Sequence, residues 1–110
     1  MNLFMQLPPG KECLRLTENT VEGYLRKRVR AAGGKCYKFV CPGHIGAPDR
    51  ICIFQNNRIY FVETKAAGEK PRPTQLMFHR ELAALGVTVR IIDTREKVRA
   101  FIKAVTANEI

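Results

Sequence analysis

Three charged residues in two neighbouring stretches of this sequence could do chemistry together. Glu63 and Lys65 stand two apart in Phe61-Val62-Glu63-Thr64-Lys65. Side chains alternate across a strand, so both project from one face. Asp49 lies upstream in Gly46-Ala47-Pro48-Asp49, where a second apolar run begins, and a short hairpin would bring its carboxylate to the same spot. Two carboxylates beside an ammonium group suit a hard divalent cation, with one positive charge left over for an anionic reactant or a polarised water. The same residues also have a plain reading, a turn aspartate after Pro48 and a solvated pair on an exposed strand. Position favours the site: Ile59-Tyr60-Phe61-Val62 reads as buried on both faces, and charge ending such a run needs a purpose.

The elements that must hold these residues follow from periodicity. Thr17 or Asn19 caps a helix with Val21, Leu25, Val29 and Ala32 on one stripe, stopped by Gly33-Gly34. Glu22 lies beside that stripe, either as a partner of Arg26 one turn on or as part of the site. Glu18 serves the helix N-terminus. Lys35 to Cys41 alternates as a strand, and Pro42 to Gly46 is a loop carrying His44. Ile51 to Phe54 and Ile59 to Val62 flank Gln55-Asn56-Asn57-Arg58, a hairpin signal. A two-residue turn there leaves Asp49 on the wrong face. A three-residue loop sets Phe54 against Arg58 and Asp49 against Glu63, so shared metal binding predicts the longer loop or a bulge near Asp49. A mobile basic loop, Ala66 to Pro73, leads into a helix from about Thr74 to Leu85 with Phe78, Leu82 and Leu85 inward and Gln75 in its first turn. His79, one turn later, reads as solvated or phosphate-contacting. Val87 to Ile92 is a strand, and Thr94 caps a last helix with Val98, Phe101, Ile102 and Val105 inward. The order is helix, three strands, helix, strand, helix.

Composition bounds what this scaffold does. A chain of 110 residues, 45% hydrophobic and 26% charged, supports one globular domain. No segment is long and apolar enough to span a bilayer. Met1 to Leu7 has no basic n-region and too short an apolar run for a signal peptide, which predicts a cytoplasmic location. The net charge of +9, from 19 Lys and Arg against 10 Asp and Glu, points to a polyanionic partner. No long helix pairs a basic face with a wide apolar one, so nucleic acid is favoured over a membrane surface. Cys13, Cys36, Cys41 and Cys52 form no C-x-x-C pair. A zinc site from Cys36, Cys41 and His44 lacks a fourth ligand at sensible spacing, so the cysteines read as buried free thiols. Leu3, Phe4, Met5 and Leu7 precede Pro8-Pro9 and read as a loose arm or a contact with a second subunit.

Glu22, Gly46-x-Pro48-Asp49-Arg50, Val62-Glu63-x-Lys65, Gln75 and Gly86-x-x-Val89 together resemble the VRR-Nuc family, the virus-type replication-repair nucleases of the PD-(D/E)XK superfamily. The resemblance runs from about Thr17 to Ile102. It implies an α/β fold with a restriction-endonuclease-like core, a mixed four-stranded sheet flanked by helices, and a nuclease domain over residues 17–105 between an arm (1–16) and a short tail (106–110). It implies that Asp49 and Glu63 hold Mg²⁺ or Mn²⁺ with the Thr64 carbonyl, that Glu22 completes the acidic cluster, that Lys65 positions the attacking water, and that Gln75 lies beside the site. It further implies a metal-dependent endonuclease acting as a homodimer on branched DNA such as four-way (Holliday) junctions, in a bacterial cell or phage-infected host. A flap or restriction-like nuclease and a non-cleaving DNA-binding module are the other readings. Candidate phosphate contacts are Arg26, Lys27, Arg30, Lys38, His44, Arg50, Lys70 and Arg72.

Overall fold

The computed structural model describes residues 20–110, so the arm, Cys13, Glu18 and the caps expected at Thr17 and Asn19 lie outside the described residues. Helix α1 (Val21–Ala31) is capped instead by Thr20, whose Oγ1 accepts the Gly23 N–H at 3.0 Å. Leu25 and Val29 are fully buried on its inner stripe, with Val21 and Ala32 packed beside them. Gly33, at φ +87°, takes the left-handed conformation that ends the helix.

Four strands follow: β1 (Lys35–Lys38), β2 (Arg50–Phe54), β3 (Arg58–Thr64) and β4 (Val89–Ile92). They lie in the order β1-β2-β3-β4. The first three are antiparallel neighbours, and β4 joins β3 in parallel after the crossover through α2 (Pro73–Ala84). The sheet is therefore mixed and four-stranded, flanked by helices, in the element order read from the sequence. Strand β1 stops at Lys38, short of Cys41, although the Phe39 N–H still bonds the Asp49 carbonyl at 2.9 Å. Strand β4 starts two residues later than expected, because the Val87 N–H closes the end of α2 on the Leu82 carbonyl. Asn56 and Asn57 both have positive φ in the β2–β3 turn, a conformation asparagine tolerates better than most residues.

Helices α1 and α3 (Arg95–Thr106) cover one face of the sheet. Thr94 caps α3 through the Lys97 N–H, and Val98, Phe101, Ile102 and Val105 point inward as their spacing predicts. They meet Cys52, Phe54, Tyr60 and Val62, with the rings of Phe54, Tyr60 and Phe101 edge to face. The other face is only partly covered, since α2 lies chiefly against β4. Ile59 is therefore 54% exposed and Phe61 half-buried, which corrects the expectation that this run is buried on both faces. Leu85, expected inward, is 80% exposed: it is the cap residue, where the backbone has left helical geometry. Phe78 and Leu82 are half-buried, and the one buried residue of α2 is polar, Gln75. Among the described residues no helix is long and apolar enough to cross a membrane.

Candidate active site

The hairpin has the three-residue loop. Phe54 stands opposite Arg58 and Arg50 opposite Val62, so the next pair along the ladder is Asp49 with Glu63. Asp49 is clamped by the last residue of β3. The Thr64 N–H donates to Oδ1 at 3.2 Å and the Thr64 hydroxyl to Oδ2 at 2.8 Å. Nothing in the spacing singled out the Thr64 side chain; a β-branched hydroxyl residue beside the acidic one was the only available signal.

Glu63 lies on the sheet face opposite Val62, under α2, and is only 4% exposed. Its Oε2 accepts the Gln75 Nε2 amide at 2.8 Å and lies 3.3 Å from the Lys65 ammonium, which is itself nearly buried. Gln75 is oriented from behind, since its Oε1 accepts the Arg72 N–H at 2.8 Å in the first turn of α2. Lys65 is fixed by its own N–H, which donates to the Ile92 carbonyl of β4 at 3.0 Å. The loop bearing Asp49 and the helix bearing Gln75 are locked together at Gly46. There φ is +96°, and an added Cβ would overlap the Thr74 carbonyl oxygen and come within 3.0 Å of the Gln75 nitrogen.

Burial sets the electrostatics. It pushes the Asp49 carboxyl above its ordinary range, a shift the Thr64 hydrogen bonds partly oppose and the nearby Glu22 charge reinforces. Burial likewise raises Glu63, helped by the Asp49 charge and opposed by Lys65 and Gln75. Two carboxylates that repel each other at a partly desolvated site, one of them with an oxygen, Glu63 Oε1, buried and without a hydrogen-bond partner, fit a hard divalent cation, which would supply the missing charge. Among the described residues no three His, Cys, Asp or Glu side chains gather as a ready-made metal cluster. Glu22 makes an ion pair with Arg50 at 2.6 Å.

The candidate phosphate contacts divide. Arg26, Arg30, Lys38 and Arg50 line one groove of about 440 Å³ along β1, together with Lys35, Cys36 and Tyr37, residues the sequence had not marked for this surface. Lys27 is exposed on α1, His44 in the loop ahead of β2, and Lys70 and Arg72 ahead of α2. His79, expected either in solvent or against a phosphate, is half-buried with Nε2 sealed and without a hydrogen-bond partner. Burial, and then the Lys65 charge, hold its pKa below the ordinary value. It stands one turn after Gln75 and so faces the site. Cys36, Cys41 and Cys52 are free thiols; Cys52 is buried as expected, whereas Cys36 and Cys41 are half-buried, which corrects the expectation of buried thiols at those two positions.

No family model matches the chain. It is similar to "Putative nuclease p44" of Acyrthosiphon pisum secondary endosymbiont phage 1, with 47% identity over 81 residues that make up 74% of this chain and 87% of that protein. A solved structure described as "VRR_NUC domain" superposes with a TM-score of 0.71 at 33% identity, covering 76% of this chain and 90% of that one. With identity of this extent joined to a shared mixed sheet, the chain belongs to the VRR-Nuc family of nucleases.

Proposed function

We propose that the chain is a metal-dependent, structure-specific endonuclease that hydrolyses phosphodiester bonds in DNA, with branched DNA such as four-way junctions as its substrate and a homodimer as its working form. The observation that carries the reading is Glu63: a buried carboxylate held by Lys65 and Gln75, with one oxygen unpartnered, in register with Asp49. Asp49, Glu63 and the Thr64 carbonyl would hold Mg²⁺ or Mn²⁺, oxygen donors of the type both ions prefer. When bound, such an ion neutralises phosphate charge and makes a water acidic enough to attack.

The protein's own residues do the rest. Lys65, braced by Glu63 and β4, presents its ammonium to the attacking water and to the charge developing on the phosphate. Gln75 holds Glu63 in one rotamer, so that its free oxygen stays aimed at the site. Glu22 acts through Arg50, turning that guanidinium between the site and the basic groove. Arg26, Arg30, Lys35 and Lys38 offer the groove to a phosphate backbone.

The half-covered sheet face, with Tyr37 and Ile59 exposed beside half-buried Ile51, Ile53 and Phe61, supports association with a second copy. Light scattering at micromolar concentration tests this, and a monomer mass ends the dimer reading. For the reaction, labelled four-way junctions, flaps, duplexes and single strands are incubated with and without Mg²⁺. Paired incision of junctions only with the cation is the expected result. Preference for flaps or plain duplex would reassign the substrate, and intact DNA throughout would leave a binding module.

A further inference from the structure

Strand β1 sets Cys36 directly opposite Cys52 of β2, and the Cys52 thiol donates to the Cys36 sulfur at 3.7 Å. The two differ in surroundings. Cys52 is fully buried in the core, whereas Cys36 is half-buried and lines the groove that Arg26, Arg30, Lys35, Lys38 and Arg50 make strongly cationic. We propose that Cys36 and Cys52 form an oxidation site, in which Cys36 is the thiol an oxidant meets and Cys52 the thiol that closes a disulfide onto it.

A cationic, accessible environment favours the thiolate, the nucleophilic form of cysteine. The hydrogen bond from Cys52 lowers the Cys36 pKa against the effect of burial, and the charges of Arg50 and Arg26 act in the same direction. The same hydrogen bond, together with burial, raises the Cys52 pKa, so Cys52 stays a protonated resolving thiol. With a peroxide, the Cys36 thiolate attacks one oxygen and the O–O bond breaks. The departing hydroxide takes a proton, leaving a sulfenic acid on Cys36 and one water. The Cys52 sulfur then attacks the Cys36 sulfur, the S–O bond breaks, and the hydroxide released combines with the Cys52 proton as a second water. Two thiols lose two electrons, and the peroxide is reduced to two waters.

The product ties together the ends of a segment 16 residues apart in the chain, the segment that carries Gly46 and Asp49. Closing such a loop restricts the unfolded chain. In a reducing compartment the bond would be transient. The pair stands on strand geometry and groove charge and does not depend on the nuclease reading.

The test treats the folded full chain with hydrogen peroxide, blocks remaining thiols with an alkylating agent and maps peptides by mass spectrometry. Wild type is expected to lose two hydrogen atoms with Cys36 and Cys52 linked in one chain. Cys52→Ala should stop at a Cys36 sulfenic acid captured by a cyclic 1,3-dione, and Cys36→Ser should give neither product. Cys13 and Cys41 report background oxidation. Links confined to Cys13 or Cys41, links between two chains, or an unaltered Cys36 in wild type would each overturn the proposal, and the wild-type map decides even where a variant folds poorly.

Discussion

The two faces of the β2–β3 hairpin are built on opposite terms. The face under α1 and α3 is apolar and packed through its centre, where Cys52, Tyr60 and Val62 meet Phe101 and Val98, and turns polar at Arg50 on the groove side. The face under α2 carries Glu63, in register with Asp49, has carboxyls raised by burial, leaves Glu63 Oε1 without a partner, and exposes Ile59 beyond the helix. Because the two faces alternate along one strand, neighbouring residues belong to different economies: Val62 holds the fold and Glu63 is held by it. Substitutions one residue apart should therefore fail in different ways.

The largest effect is expected at Lys65. In the proposed reaction its ammonium acts on charge that develops during cleavage, so Lys65→Ala should reduce DNA cleavage by about 10²–10³-fold or more while leaving DNA affinity nearly unchanged. Affinity is measured in Ca²⁺, and the fold by thermal melting. Robust cleavage by this variant under saturating Mg²⁺ would remove Lys65 from the chemistry and with it the contrast between the faces.

On the packed face the change should run the other way. Phe101 packs edge to face on both Phe54 and Tyr60, and removing its ring leaves a cavity that rigid strands cannot fill. Phe101→Ala should destabilise the domain by about 3–5 kcal/mol. Whatever fraction remains folded should cleave with wild-type kcat. A selective loss of kcat at full stability would show that the core side also shapes the site.

Gly46→Ala probes the seam between loop and helix. The added methyl meets the Thr74 carbonyl at a backbone angle that L residues rarely adopt, so loop and α2 must part. Asp49 and Gln75 then lose their mutual placement. A destabilisation of roughly 1–3 kcal/mol is expected, with activity reduced beyond what the folded fraction explains. Unchanged kcat with unchanged Tm would mean the seam does not position the site.

Much of this arrangement was legible in the sequence, for identifiable reasons. The stripe Val98, Phe101, Ile102, Val105 and the Thr94 cap repeat at helical spacing and needed no tertiary information. The three-residue hairpin loop followed from asking which register lets Asp49 meet Glu63. The Glu22–Arg50 ion pair was not legible, because it joins residues 28 apart whose meeting depends on how α1 crosses the sheet. Nor was the inward turn of His79: on a helix with almost no one-sided apolar stripe, a histidine carries no mark of which side the sheet occupies. Leu85 misled because periodicity continued one residue past the point where the backbone stopped being helical. The basic groove was half visible, since Lys35 and Tyr37 join Arg26 and Arg30 only through the packing of α1 beside β1.

The smallest predicted effect concerns the pH dependence of stability, and it separates the two faces without any substitution. Asp49 and Glu63 have folded-state pKa values above their ordinary ones, so the fold binds these protons more tightly than the unfolded chain does. Their contribution is fully present below the unfolded carboxylate range and is lost as the pH rises through the raised folded values. Above that window both groups are ionised, repel each other and lie partly out of water. A divalent cation held there, as proposed, would relieve that strain and compete with protons for the same oxygens. The increment in Tm on adding Mg²⁺ should thus be near zero below the window and grow to a few degrees above it, following the usual linkage of ligand binding to stability. Melting curves with and without Mg²⁺ across a pH series measure this directly, and Lys65→Ala should retain the effect because it keeps both carboxylates. An increment that is flat across pH would place the cation elsewhere than on Asp49 and Glu63.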